Sequence, residues 1–402
     1  MHKGFLKSGH LPTLAAAFLY FDLSFMVWVI LGPLGVAIAQ QLQLSPGQKG
    51  LMVAVPVVAG AALRVVVGLL VDRFRARRVA LGAQSIVIAG LIAAWALGID
   101  SFAAILALGC VLGLAGASFA VALPLASSWY PAEHQGTALG IAGAGNSGTV
   151  LAALFAPSLA IALGWQNVIG LAAVPLAVTL AVFWLIARDS PNAPLPKRMS
   201  TYARLLKTGD AWWLMFFYSV PFGGFVGLAS SLTIYFNDQY GLSAIAAGYC
   251  TAAVVFVGSL VRPLGGAVAD RVGGVRALAA LYAVAACAFA AIATGLSSIW
   301  LAMSVFLVGM LALGMGNGAV FQLVPQRFGQ EIGVMTGLVG MGGGVGGFYL
   351  ASSLGYAKQF TGSYGAGFLV FALLAALALV SIGRVRTRWC TTWASLYGAA
   401  RV

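Results

Sequence analysis

The sequence predicts an all-α membrane protein with twelve transmembrane helices, built as two six-helix repeats. Hydrophobic residues make up 61% of the 402 positions and charged residues only 8%, with a mean hydropathy of +0.98. Soluble domains carry about 25% charged residues, so this chain cannot cover its surface with polar groups. Apolar runs of about 18 residues or more, long enough to span a bilayer, recur along the chain. The composition therefore excludes a water-soluble globular fold.

The apolar runs are separated by short polar loops and by one long polar segment. That segment, "RDSPNAPLPKRMSTYARLLKTGD", is rich in Pro and charge and divides the chain in two. We predict an N-terminal six-helix half at 1–187, a cytoplasmic linker at 188–210, a C-terminal six-helix half at 211–383 and a cytoplasmic tail at 384–402. The predicted spans are 11–40, 47–71, 79–98, 102–127, 136–162, 164–187, 211–236, 244–269, 277–297, 299–323, 331–356 and 362–383.

The basic residues predict the orientation of the chain. The net charge is +13, but Lys and Arg lie in short clusters between apolar runs, which argues against nucleic-acid binding. Cytoplasmic loops of membrane proteins are enriched in Lys and Arg. With both termini inside, only Lys49 and Lys358 fall in outside loops. We therefore expect a multi-pass protein of the cytoplasmic (inner) membrane, with both termini cytoplasmic and its surface in the lipid bilayer.

The two halves repeat two motifs in the same order. "GAALRVVVGLLVDR" (60–73) aligns with "GSLVRPLGGAVADR" (258–271), and "GIAGAGNSG" (140–148) aligns with "GLVGMGGGV" (337–345). Parallel repeats of six spans are typical of transporters whose substrate binds between the halves.

A basic loop motif carries the first resemblance to a known family. "GLLVDRFRARR" (68–78) resembles the signature of the major facilitator superfamily, and "GAVADRVGGVR" (266–276) is a partial second copy. The resemblance implies the major facilitator fold and a gating role for these loops. Topology determinants with a packing glycine are the alternative reading. The residues concerned are Gly68, Asp72, Arg73, Asp270 and Arg271.

Arg64 and Arg262 lie inside apolar runs at equivalent positions of the two repeats. An unpaired cation at the centre of a bilayer costs at least about 2.5–3.5 kcal/mol. The runs hold no matching number of acids, so the pair predicts a positive cavity that an anionic substrate completes. A guanidinium is a planar fork suited to bidentate binding of oxyanions. Snorkelling and a structural ion pair are the alternatives.

Glycines are spaced along the fifth and eleventh spans. Those of the fifth span flank Asn146, which is a candidate polar contact for the substrate. Such glycines allow either close helix packing or backbone approach to a small substrate, and the sequence leaves both open. The candidates are Gly140, Gly143, Gly145, Gly148, Gly337, Gly340, Gly342, Gly343 and Gly344.

These stretches together resemble the nitrate/nitrite porter family of the major facilitator superfamily, over essentially all twelve spans. The family's two Gly-rich signatures match those in the fifth and eleventh spans. The resemblance implies that Arg64, Arg262 and Asn146 bind nitrate, with nitrite as a further substrate. It also implies that two aromatic rings, matched by Phe119 and Phe222, sandwich the flat anion. The family's hydrogen-bonding Tyr matches Tyr218.

Asp22 is the one acid well inside a predicted span, about 16 Å from its start at 1.5 Å per residue. Membrane acids often belong to proton relays, so Asp22 is the candidate for proton coupling. A partly hydrated acid that is paired with a cation or capped by Ser24 is the alternative. We predict proton-coupled nitrate uptake; the alternatives are a nitrate/nitrite antiporter, a nitrite exporter, a membrane nitrate sensor and a multidrug/proton antiporter.

Other chemistry is not indicated. The four Cys and three His residues show no spacing typical of a metal site, a disulfide or a catalytic nucleophile. We expect no catalytic residues, no metal and no cofactor, and therefore no enzyme. The expected partners are a small inorganic anion and co-transported protons, and the expected state is a monomer.

Overall fold

The computed structural model describes residues 5–191, 199–328 and 331–397. Residues 192–198 of the predicted linker and 398–402 of the predicted tail lie outside this described part. Within it, twelve helices are long and apolar enough to cross a membrane, which confirms the predicted number. They are α1 Leu11–Trp28, α2 Pro46–Phe74, α3 Ala76–Leu97, α4 Phe102–Ser127, α5 Thr137–Leu163, α6 Trp165–Ile186, α7 Gly209–Tyr240, α8 Ala244–Val272, α9 Gly274–Ala293, α10 Ile299–Phe328, α11 Ile332–Thr361 and α12 Gly365–Trp393.

The largest differences from the predicted spans lie at the two ends of the chain. The predicted first span, 11–40, is not one helix: α1 ends at Trp28, a series of turns follows, and a short helix covers Gly35–Gln41. Pro33, which has no backbone N–H, lies in these turns and cannot continue the helical ladder. At the other end of the chain, helical structure continues past 383 to Tyr397.

Polar residues in the loops begin several helices. Ser45 forms a capping box with Gln48 at the start of α2, with Pro46 at the first helical position. The hydroxyls of Ser101 and Ser243 accept hydrogen bonds from backbone N–H groups in the first turns of α4 and α8. These local signals place the helix starts, while burial of apolar side chains holds the bundle together.

The two halves meet along glycine-lined seams near the end of the bundle that holds Lys49, which we call the distal end. A Cβ on Gly50 of α2 would lie 2.8 Å from the Cα of Gly355 in α11, and one on Gly248 of α8 would lie 2.6 Å from the carbonyl oxygen of Ala153 in α5. Backbones at this separation pack as small-residue motifs do in membranes. The seams therefore close the distal end.

The two halves also turn in the same way after α2 and α8. Arg75 links α2 to α3 with φ 71°, and Gly273 links α8 to α9 with φ 93°. Positive φ is natural for Gly but uncommon for Arg. The same turn in both halves supports the repeat seen in the sequence.

Candidate functional site

Four spanning helices change geometry beside a predicted site residue. Turns at 117–118 interrupt α4 just before Phe119, and a 3-10 segment at 144–147 interrupts α5 at Asn146. In α7 the interruption at 220 separates Tyr218 from Phe222, and in α8 the interruption at 261 precedes Arg262. Discontinuous helices at the interface of repeats are typical of transporter binding sites.

Prolines account for two of these interruptions. Pro221 and Pro263 have no backbone N–H, so each leaves the carbonyl four residues earlier without its helical donor. In α7 that carbonyl belongs to Phe217 and accepts a hydrogen bond from the hydroxyl of Tyr282 at 2.6 Å. The break in α7 is therefore stabilised by a contact from α9.

Arg64 is fully buried and is held by the backbone of both halves. Its Nε donates to the carbonyl oxygen of Gly116 at 3.1 Å, and its Nη1 donates to that of Gly340 at 2.5 Å. The Gly116 carbonyl is available because, in the turn of α4, the N–H of Ala120 bonds to Ala117 instead. The Nη2 of Arg64 remains buried without a hydrogen-bond partner.

Aromatic rings surround the guanidinium of Arg64. Its Cζ lies 4.8 Å from the ring centre of Phe222, 5.2 Å from Trp28 and 5.3 Å from Phe119. Such contacts stabilise a cation that has left water. Together with the two carbonyl bonds, the rings offset much of the cost of burying Arg64.

Arg262 faces the same site with fewer fixed contacts. Its Cζ lies 5.8 Å from the ring centre of Phe119 and 5.6 Å from that of Phe321. It is 9% exposed, and its Nη1 is buried without a hydrogen-bond partner. Among the hydrogen bonds of the described residues, none joins this guanidinium to a backbone carbonyl. Phe119 is thus a wall shared by both arginines.

The remaining predicted contacts gather at the same place. Tyr218 stacks on Phe222 with ring centres 5.1 Å apart, and both are buried. The hydroxyl of Tyr218 interacts electrostatically with both arginines, but neither it nor the buried Oδ1 of Asn146 has a well-formed hydrogen bond to a described residue. Native proteins leave few such atoms, so four unpaired polar groups in one aromatic-walled site indicate a place for a polar ligand. The guanidinium groups and the hydroxyl supply donors suited to an anion.

Asp22 lies beside this site and contacts the glycine signature of α5. Its Oδ1 accepts a hydrogen bond from the hydroxyl of Ser147 at 2.7 Å, and the side chain is largely buried. Ser24, the alternative cap, forms no such bond in the structure. Gly148 packs directly on the backbone carbonyl of Asp22, where any Cβ would overlap. The acid is therefore coupled to the helix that carries Asn146.

The signature glycines have three kinds of surroundings. Most of them allow close helix contact, as the packing interpretation predicts: Gly145 against Phe21, Gly148 against Asp22, Gly342 against Met215, Gly343 against Tyr218 and Phe222, and Gly344 against Ala61. Gly143 faces the guanidinium of Arg262, and Gly340 faces that of Arg64. Gly140 and Gly337 have open space where a Cβ would lie. Close packing therefore applies to most of the signature positions, while backbone approach to a substrate beside the two arginines stays a prediction.

Helix contacts correct the register of the aligned glycine signatures. Two contacts of α5 with α1 recur as contacts of α11 with α7. Gly145 packs on Phe21 as Gly343 packs on Tyr218, and Gly148 packs on Asp22 as Gly346 packs on Ser219. The alignment of Gly140 with Gly337 is therefore one residue out of register. The structural counterpart of Asn146 is Gly344.

The basic-motif residues lie away from the site. Gly68, Asp72 and Arg73 belong to the last turns of α2, and Asp270 and Arg271 to those of α8. Arg64 and Asp72 are eight residues apart, about 12 Å along a helix. The charged residues of these motifs therefore lie toward the ends of α2 and α8, and their gating role stays a prediction.

Two aromatic residues of the site were missed by the sequence analysis. Trp28 flanks Arg64 and donates its indole N–H to the carbonyl of Pro56 at 2.7 Å. Phe321 contacts the rings of Phe119 and Tyr218, with centres 6.0 and 5.1 Å away. A sequence signal for Phe321 exists, because "GASF" (116–119) recurs as "GAVF" (318–321).

Comparison with known proteins places this geometry in a family. The model of the Major Facilitator Superfamily matches residues 16–351. The chain is 34% identical to the "Probable nitrate/nitrite transporter NarK2" of Mycobacterium tuberculosis, covering 89% of this chain and 91% of the relative. It is 32% identical to a "Nitrite extrusion protein" of Bacillus subtilis, covering 89% and 90%. A crystal structure of a bacterial homolog of the human lysosomal transporter Spinster has the same fold, with a TM-score of 0.72 at 19% identity, covering 94% of this chain and 97% of that one.

Proposed function

The chain belongs to the nitrate/nitrite porter family of the Major Facilitator Superfamily, and from that premise we propose that it moves nitrate, and nitrite as a further substrate, across the membrane by alternating access. It is a transporter and not an enzyme. The names of its relatives support the substrates, since they include a nitrate/nitrite transporter and a nitrite extrusion protein.

One observation carries the proposal. Arg64 and Arg262 come from opposite halves, flank the ring of Phe119, and each keep a buried N–H group without a partner. Hydrogen bonds from a guanidinium to an oxyanion are charge-assisted and strong. A small planar anion between the two forks, against the faces of Phe119 and Phe222, would satisfy both groups.

The same pair suggests how loading favours closure. Two like charges about 8 Å apart repel by about 2 kcal/mol at an effective dielectric of about 20. An anion between them replaces this repulsion by attraction to both halves. We therefore propose that loading favours closure around the anion, and that the loaded protein rocks between its two states.

We place both termini in the cytoplasm and the distal end outside. The cations Lys49 and Lys358 at or near the distal end are few compared with those of the opposite end, as expected from the bias of cytoplasmic loops. The membrane is then the cytoplasmic membrane, and the proposed functional unit is the monomer, since each chain contains both arginines.

Coupling is proposed to run through Asp22. Uptake of one nitrate into a cell with a negative interior is opposed by about 2.3 kcal/mol per 100 mV. Symport therefore needs more than one proton per anion to carry net positive charge inward. The bond from Ser147 to Asp22 links a membrane acid to the helix of Asn146, so a change of its charge reaches the anion site. Exchange of nitrate for nitrite is the alternative mode.

The purified protein in proteoliposomes tests the proposal. Counterflow of labelled nitrate should be competed strongly by nitrite and chlorate, and more weakly by formate and sulfate. Uptake without internal nitrite should be stimulated by an inward proton gradient. Gradient-independent uptake that requires internal nitrite would favour exchange. Binding without any flux would instead favour a nitrate sensor, and no interaction with nitrate would overturn the proposal.

A further inference from the structure

The most completely unpaired buried polar side chain near the site is Asn317 of α10. It is 0% exposed, and both Oδ1 and Nδ2 lack a hydrogen-bond partner. A buried amide left without hydrogen bonds is strongly unfavourable, and proteins rarely retain one without a reason. Because no described residue satisfies this carboxamide in the present conformation, both of its polar atoms are available to a ligand.

The position of Asn317 is fixed by its neighbours on α10. Gly318 packs against the backbone carbonyl of Arg262, and Gly316 packs against Pro221, which precedes Phe222. Asn317 therefore lies where α10 meets both the helix of Arg262 and the break of α7. Phe321, one turn further along the same helix face, contacts Arg262 and Tyr218.

The equivalent position of the other half carries no polar side chain. The repeated motifs "GASF" and "GAVF" align Gly116 with Gly318, which makes Ala115 the counterpart of Asn317. Ala115 is also buried, at 2% exposure, and has no polar side chain. The carboxamide at this helix position is therefore particular to the C-terminal half.

We propose that Asn317 is a further substrate-binding residue, whose amide N–H groups donate to the oxyanion on the distal side of Arg262. This inference depends on the proposed transport of nitrate. A trigonal oxyanion can accept more hydrogen bonds than two guanidinium groups and one hydroxyl donate to it. Asn317 supplies the additional donor, and an apolar residue there would leave part of the anion without compensation for its lost water.

Three variants test this assignment through nitrate affinity. Asn317→Leu keeps the approximate shape but removes both polar atoms, so we expect the KM for nitrate to rise about tenfold or more. Asn317→Asp has the same shape but places a carboxylate beside the anion, and we expect it to weaken binding further than Leu. Gln84→Leu, the control, removes a buried carboxamide whose Nε2 bonds to Leu176 in the N-terminal half away from the site, and should leave the KM unchanged.

Melting temperature separates binding from folding. Burial of an unpaired carboxylate destabilises the fold whatever the role of Asn317, so the informative quantity is the rise in melting temperature that nitrate causes. A purely structural role predicts that nitrate still raises the melting temperature of both variants as it does for the wild type, whereas the assignment predicts that this rise is reduced or lost. If the wild type binds nitrate and Asn317→Leu binds it equally well, the assignment is wrong while the proposed function stands. If the wild type binds no nitrate, the proposed function fails first.

Discussion

The two halves of the molecule present the same arginine in different settings. In the N-terminal half, Arg64 is fixed by carbonyls of Gly116 and Gly340 and enclosed by three rings. In the C-terminal half, Arg262 has two ring neighbours, and no backbone carbonyl among the described residues clamps it. A pseudo-symmetric pair has thus become one preorganised donor and one adjustable donor.

Asp22, the acid beside the site, also differs between the two halves. Asp22 and Ser147 form a polar pair in the N-terminal half, and the matching helix contacts make Ser219 and Val345 their counterparts in the C-terminal half. A carboxyl group and its hydrogen-bond donor are therefore present on one side only. The comparison places the fixed arginine and the titratable acid in the N-terminal half and the less constrained arginine in the C-terminal half.

Replacement of the arginines should have the largest effect. Arg64→Lys and Arg262→Lys keep the charge but lose the planar fork, so we expect nitrate uptake to fall at least about 100-fold in both, with normal membrane insertion. Arg64→Lys should also lower the melting temperature more, because it breaks two bonds to buried carbonyls. Exposed Arg276 gives the control: Arg276→Lys should transport normally. Equal loss of stability in both variants would contradict the proposed difference between the arginines.

Asp22→Asn should separate coupling from transport. The amide keeps the size of the acid but cannot carry charge, so we expect stimulation by a proton gradient to disappear while nitrate/nitrite exchange persists. Ser219→Ala, at the counterpart position, should change neither activity. Proteoliposomes with and without internal nitrite measure both. Unchanged proton-driven uptake in Asp22→Asn would remove Asp22 from the mechanism and with it this part of the asymmetry.

Individual residues show which parts of the candidate site can be predicted from the sequence. Arg64 and Arg262 could be found because a cation in an apolar run is expensive and therefore rare. Phe321 and Trp28 could not be singled out in the same way, because aromatic residues are common in membrane helices. Asn317 was hidden for another reason: its importance lies in missing hydrogen bonds, and these are visible only once its neighbours are placed.

The sequence predicts the helix interruptions only in part. Pro221 and Pro263 predict weakened ladders, and the structure has interruptions beside both. Pro56 lies inside α2, which nevertheless continues without interruption. Whether a proline breaks a membrane helix depends on contacts from other helices, and those depend on the assembled bundle.

Gly344→Ala should have an intermediate effect and sharpen the comparison of α5 with α11. Its new methyl group would lie 2.6 Å from the Cβ of Ala61 across the seam between the halves. Overpacking costs about 1–3 kcal/mol, so we expect transport to fall by a factor of about 5–150. Gly337→Ala points into open space and should be nearly silent. Uptake assays compare the two; a silent Gly344→Ala would show that this seam is free to widen.

The smallest effect is expected at the distal end, where the two halves are joined by a polar contact. The Nζ of Lys49 lies 3.0 Å from Oδ2 of Asp238, which also accepts a hydrogen bond from the hydroxyl of Tyr364 at 2.8 Å. Burial, together with the charge of Asp238, raises the pKa of Tyr364, so this phenol remains a donor. Lys49 belongs to the N-terminal half, and its two partners belong to the C-terminal half.

Because the Lys49–Asp238 pair is partly exposed, it is worth at most about 1 kcal/mol. Lys49→Met should therefore shift the balance toward distal opening by a factor of about five or less, without changing nitrate affinity at the arginines. We expect the same shift toward distal opening in Asp238→Asn. The double variant should shift the balance little further, because each single variant already breaks the same contact. Labelling of a cysteine introduced at Gln43, on the distal side, would report the opening. Additive effects in the double variant would show that Lys49 and Asp238 act separately, and that the distal closure depends on other contacts, such as the glycine seams and the hydrogen bond from the N–H of Gly47 to Gln359.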